Sequence, residues 1–171
     1  MNPDRKRAFD PVVDADTRLL ILGSLPGEAS LTAAQYYAHP RNAFWPLMGR
    51  VLNEDLPTLS YEARLRRLLT RGVGLWDVIA SAERSGSLDT AIRSPEAADL
   101  RGLVAGLPAL RAVAFNGGLS ARLGRRILSG VAAVELIDLP SSSPAHARSL
   151  SEKANSWAIL ERFILPDRYS E

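Results

Sequence analysis

Two hydrophobic patterns alternate along this chain: short unbroken apolar runs, and stretches in which apolar residues recur every three or four positions. The unbroken runs end in Gly, Pro, Asn or Ser and predict buried strands over 18–23, 72–79, 112–115 and 134–139. The first of them, Leu19-Leu20-Ile21-Leu22-Gly23, is apolar throughout and is expected at the centre of the sheet. Helical spacing of Phe44, Leu47, Met48, Val51 and Leu52 predicts a helix from Ala43, with Pro46 tolerated because it falls in the first turn. A second helix, 61–70, places Leu65, Leu68 and Leu69 on one face. Ser94-Pro95-Glu96 has the chemistry of a helix start and predicts a helix running to about Gly106. Asn116-Gly117-Gly118 turns into a helix through Leu119, Leu123, Ile127 and Leu128. Ser149 with Glu152 forms a capping-box pattern for a last helix that turns Leu150, Ala154, Trp157, Leu160 and Ile164 inward. Ser85-Gly86-Ser87 reads as an exposed loop, and residues 1–16, broken by Pro3 and Pro11, as an N-terminal arm. Strands alternating with helices define an α/β protein, a three-layer sandwich with a central, mostly parallel four-stranded sheet flanked by helices.

Length and composition narrow the class. The 171 residues, 46% hydrophobic and 23% charged, suit one domain spanning 1–171. The chain has no cysteine and two histidines, which argues against disulfides, a thiolate nucleophile and a protein-ligated metal. No apolar run approaches the ~20 residues of a membrane span, and the N-terminus lacks a secretory apolar stretch, so a cytoplasmic protein without membrane contact is expected; a monomer is expected as well. The net charge is only +2, but almost every cation is arginine, lysine occurring at Lys6 and Lys153 alone. Arginine suits phosphate contact, although a GC-rich coding sequence would give the same bias. Arg122, Arg125 and Arg126 read as a solvated helix face.

A parallel sheet of this kind binds ligands at the carboxyl ends of its strands. Four loops converge there, carrying Gly23 to Gly27, Asp77, Asn116 to Gly118 and Pro140 to His146. Tyr36-Tyr37-Ala38-His39-Pro40-Arg41-Asn42-Ala43-Phe44-Trp45 adds aromatics beside His, Arg and Asn, which is the composition of a pocket for a flat ligand with polar edges. The Gly23 to Gly27 loop matches neither dinucleotide nor P-loop patterns, so nucleotide-cofactor chemistry is not indicated.

These residues together resemble the uracil-DNA glycosylase superfamily. Gly23-Ser24-Leu25-Pro26-Gly27, His39-Pro40-Arg41-Asn42 and Ser141-Ser142-Ser143-Pro144-Ala145 are most similar to its hypoxanthine-DNA (deoxyinosine) glycosylase branch. The resemblance implies base flipping and hydrolysis of the N-glycosidic bond of a deaminated base in DNA, as in base excision repair, with no cofactor. It implies a base-binding set of Gly23, Ser24, Leu25, Tyr37, Asp77 and Asn116, with Tyr37 stacked on the base. Leu25 stands where other superfamily members carry a water-orienting Asp or Asn, so the resemblance places catalysis on Asn42, whose alternative role is a helix cap. Asp77 stands where uracil-specific relatives place an asparagine; it either biases the pocket toward hypoxanthine or is a structural carboxylate. Ser141 replaces a catalytic histidine. Ser141, Ser142 and Ser143 then read as phosphate donors, Ala145 and His146 as groove contacts, His39 as a loop-ordering or DNA-contacting side chain, and Arg41 as a phosphate partner. A uracil- or mismatch-directed glycosylase, a non-catalytic DNA-binding domain and a small-molecule enzyme are the competing readings.

Overall fold

The computed structural model describes residues 5–168. In chain order the first elements are β1 (Arg5–Arg7), β2 (Leu19–Gly23), α1 (Glu28–Ala33), α2 (Phe44–Leu52), α3 (Tyr61–Thr70), β3 (Val73–Asp77) and β4 (Ile79–Glu83). β5 (Arg93–Ala97), α4 (Leu100–Ala105), β6 (Ala112–Asn116), α5 (Gly118–Ile127), β7 (Glu135–Leu139) and α6 (Leu150–Trp157) follow. The main sheet has the order β3-β2-β6-β7 with every pairing parallel. β2 is central and fully buried, as its unbroken apolar run predicts.

Alternation along the strands decides the layers, because successive side chains of a strand leave on opposite faces. Leu19 and Ile21 of β2, Val73 and Leu75 of β3 and Ala112 and Ala114 of β6 enter a core shared with Phe44, Leu47, Leu68, Trp157 and Leu160. Leu20, Leu22, Val113 and Phe115 enter a second core with Leu100, Val104, Leu107 and Leu128. Each fully buried Leu, Val or Phe contributes about 1.5–3 kcal/mol, so neither layer is dispensable. Helix α5 lies close enough to β6 that a Cβ at Gly124 would collide with the Phe115 ring.

Local chemistry fixes most of the element ends. Ser60 caps α3 through Ala63 N–H, and Ser149 caps α6 through Glu152 N–H. Three expectations are corrected. The run 72–79 is not one strand: it leaves the parallel sheet after Asp77, and Ile79 begins β4 of a separate antiparallel sheet of order β1-β4-β5. Residues 94–97 form strand β5 rather than a helix start, and helix α4 begins only at Leu100, where Asp99 accepts from Gly102 N–H. Pro95 is tolerated because β5 pairs with β4 alone and is an edge strand. Leu150 is 37% exposed rather than inward, and α6 tightens into a 3₁₀ turn after Trp157, although Trp157 and Leu160 are buried as expected. The N-terminal arm is partly ordered by β1 and by Val12 bridging Leu75; its first four residues lie outside the described ones. No helix among the described residues is long and apolar enough to cross a membrane.

Candidate active site

A cavity of about 680 Å³ opens at the carboxyl ends of the parallel strands. It lies within the ~300–1,000 Å³ range of ligand clefts. Every residue singled out from the sequence lines it: Gly23, Ser24, Leu25, Tyr37, His39, Arg41, Asn42, Asp77, Asn116, Ser141, Ser142, Ser143, Ala145 and His146. The strand ends deliver Gly23, Asp77 and Asn116, and the loop after β7 delivers the serines.

Gly23, Tyr37 and Asp77 form one tight corner. A Cβ on Gly23 would lie 2.6 Å from Asp77 Oδ1 and 3.2 Å from the Tyr37 hydroxyl, so only glycine lets both side chains reach this strand end. Tyr37 has one ring face stacked on Phe44, with centroids 3.9 Å apart and planes at 15°. The ring also borders the cavity, where it can stack on a flat ligand. Its backbone sits at φ 54, a left-handed conformation costing ~1–3 kcal/mol for a side chain of this size. Asp77 is 4% exposed, and its Oδ2 is buried without a hydrogen bond. Burial pushes its carboxyl up to about 7, the negative charge of Asp89 adds to that rise, and Arg84 opposes it. The backbone N–H partners of a structural carboxylate do not reach Oδ2. Burial, and then the charge of Asp77, push the Tyr37 hydroxyl upward as well, with Asn116 pulling back.

Asn42 has a divided role. Its Oδ1 accepts from Phe44 N–H at 3.0 Å, closing the first turn of α2 and leaving the amide nitrogen as the free donor. Ala43 N–H donates to Ser142 O at 2.9 Å, which ties this segment to the serine loop. His39 Nδ1 accepts from Arg41 N–H, so His39 orders the loop locally while Arg41 stays exposed.

The serine loop is held from beneath. Asn116 Nδ2 donates to Ser142 Oγ and Ser142 N–H donates to Asn116 Oδ1, both at 2.9 Å. Ser142 is 1% exposed and faces Asn116, which corrects its assignment as a phosphate contact; Asn116 is correspondingly occupied with the loop. Ser141 and Ser143 accept from N–H groups two residues on and keep their own hydroxyl protons for donation. Lys153 Nζ donates to Ser143 O and Trp157 Nε1 to Pro140 O, each at 3.0 Å. Burial lowers the Lys153 ammonium below its ordinary value. His146 borders the cavity, but its Nε2 is sealed without a hydrogen bond rather than solvated.

The sequence reading missed a wall. The β4–β5 loop, read only as exposed, lines the cavity with Ser87, Leu88, Asp89 and Thr90. Ser24 Oγ donates to Asp89 Oδ1 at 2.6 Å, and Glu28 N–H donates to Ser87 Oγ at 2.9 Å. Arg84, 1% exposed, donates to the carbonyls of Leu25, Pro26 and Gly86 and so locks the two loops together. Burial lowers its guanidinium below the ordinary arginine value, and Asp89, Glu28 and Asp77 restore part of it. Arg84 immediately follows the last residue of β4 and gave no sequence signal; only the fold reveals the carbonyls it serves. Leu25 borders the cavity but packs into the Leu20 and Leu22 core at 6% exposure, so position 25 is largely a core position.

The sequence matches the family model of the Uracil DNA glycosylase superfamily over residues 11–163, and the chain belongs to that superfamily. Among its relatives, a protein named hypoxanthine DNA glycosylase from Methanosarcina barkeri is 42% identical over 154 residues, covering 90% of this chain and 96% of the relative. One of the same name from Methanosarcina acetivorans is 39% identical over 157 residues, covering 92% and 98%. The solution NMR structure of a Methanosarcina acetivorans protein described as a candidate uracil DNA glycosylase superposes with a TM-score of 0.83 at 39% identity, covering 92% of this chain and 97% of that one.

Proposed function

We propose that the chain is a monofunctional glycosylase domain that hydrolyses the N-glycosidic bond of a deaminated base in DNA, with hypoxanthine as its preferred substrate. The names of the two relatives support that base. The observation that carries the reading is the Gly23–Tyr37–Asp77 corner, an aromatic platform beside a buried carboxyl without its full set of partners. A base inside a duplex is out of reach of such a recess, so the nucleotide must be flipped into it. Tyr37 stacks on the flipped base. Asp77, when ionised, accepts from the ring N–H of hypoxanthine beside a C–H, whereas uracil presents that N–H between two carbonyls. Asn42 orients the attacking water by donating to its oxygen from the free amide nitrogen. Ser141, Ser143 and the exposed Arg41 hold phosphates, and Ala145 with His146 faces the groove.

Among the described residues no lysine lines the cavity, and the activity proposed is hydrolysis without a Schiff-base lyase step. The test is single-turnover base release from a deoxyinosine duplex by wild type and Asn42→Ala. A loss of ~100-fold or more with DNA affinity retained is expected for a group acting on the transition state. Equal rates would remove Asn42 from catalysis.

A further inference from the structure

Hydrolysis of an N-glycosidic bond places positive charge on the sugar and requires a proton to leave the attacking water, two tasks suited to a carboxylate. The groups so far assigned are each engaged or sealed at one polar atom. Asn42 is an amide with Oδ1 bonded to Phe44 N–H. His39 Nδ1 is bonded to Arg41 N–H, and His146 Nε2 is sealed. Among the described residues, two carboxylates line the cavity, Asp77 and Asp89. Asp77 lies on the floor, 4% exposed, against Gly23 and committed to the base. Asp89 is open to solvent on the wall.

Its position is built. Ser24 Oγ holds Oδ1 at 2.6 Å, leaving Oδ2 for a water. The 3₁₀ turn at Asp89–Ala91 closes through Ile92 N–H to Asp89 O, and Arg84 fixes the loop from below through Gly86 O. The loop therefore presents a carboxylate beside position 24 while the neighbouring Leu25 is buried in the core.

We infer that Asp89 is a catalytic residue that orients and deprotonates the attacking water, an assignment that rests on the glycosylase reading above. Its Oδ2 takes one proton as the water oxygen bonds to C1′ of the deoxyribose. The C1′–N9 bond breaks with its electron pair leaving on the base, which takes a proton from solvent while Asp89 returns its own. The same carboxylate offsets the cationic sugar in the transition state.

The test compares wild type, Asp89→Asn and Asp89→Ala under single-turnover conditions on a deoxyinosine duplex, with DNA affinity measured separately. Asp89→Asn keeps an acceptor for Ser24, so the wall stays in place. It should lose ~100-fold or more in the chemical rate while its DNA Kd stays within about threefold. Sodium formate should restore part of the Asp89→Ala rate, a rescue that a purely structural tie would not show. A rate for Asp89→Asn within threefold of wild type, a loss seen entirely in Kd, or no formate rescue of a folded Asp89→Ala would overturn the assignment. Wild type releasing no base from deoxyinosine or deoxyuridine would instead overturn the glycosylase reading itself, and the assignment with it.

Discussion

Replacing Asp77 by asparagine tests whether the floor of the cavity is held at a cost to stability. The folded protein keeps the Asp77 proton to about pH 7, whereas an ordinary carboxyl loses it near 3.8. Between those values the folded state binds a proton that the unfolded state has released, so stability falls as pH rises through the window. At about 1.4 kcal/mol for each tenfold change in proton affinity, the full effect above pH 7 is on the order of 4 kcal/mol. Relaxation and water entry reduce it, so roughly 2–4 kcal/mol is the expected range. Asp77→Asn should therefore be more stable than wild type at pH 8 by that amount and nearly equal to it at pH 4, as measured by urea unfolding across the range. The same variant should raise uracil excision relative to hypoxanthine, since an amide can both accept and donate. Equal stability at pH 8, or the same pH slope in both proteins, would refute a buried carboxyl without adequate partners; an unchanged excision ratio would refute its role in specificity.

Gly23→Ala should abolish base release while the protein still folds, because the new Cβ would meet Asp77 Oδ1 at 2.6 Å; circular dichroism and the excision assay read the two halves of the claim. Tyr37→Phe should be neutral or slightly stabilising by thermal unfolding, since the amide near its buried hydroxyl, Asn116, is already bonded to Ser142 and leaves that hydroxyl without a well-formed hydrogen bond, whereas Tyr37→Ala should lose ~1–3 kcal/mol of affinity for a base analogue in the pocket. Arg84→Ala, which strands three carbonyls, should cost about 3 kcal/mol in urea unfolding and slow excision.

Much of the parallel core was legible because its signals are local. The apolar run of β2, the spacing of Phe44 to Leu52 and the Ser149 cap each fix their element without help from distant residues. The β4–β5 hairpin was not legible, for two reasons. Val73 to Ile79 is continuous in pattern, and nothing within it marks the change of sheet at Val78. Ser94-Pro95-Glu96 has helix-start chemistry, but pairing with β4 overrides it and leaves Ser94 at φ 49. The site was legible where it depends on strand ends, because the topology of a parallel sheet brings those together. It was hidden where a loop from the second sheet folds back: Ser87, Leu88, Asp89 and Thr90 reach the cavity, and Arg84 the carbonyls it holds, only when β4 runs alongside β1. Asn116 and Ser142 illustrate the complementary limit, since their mutual bonds turn two polar residues of the cleft into structure.

The most direct measurement is mass spectrometry of the products formed by the wild-type protein from a duplex carrying one deoxyinosine. Free hypoxanthine together with an intact strand bearing an abasic site is the predicted result. No base release, or a strand cleaved by elimination at the damaged position, would contradict the account.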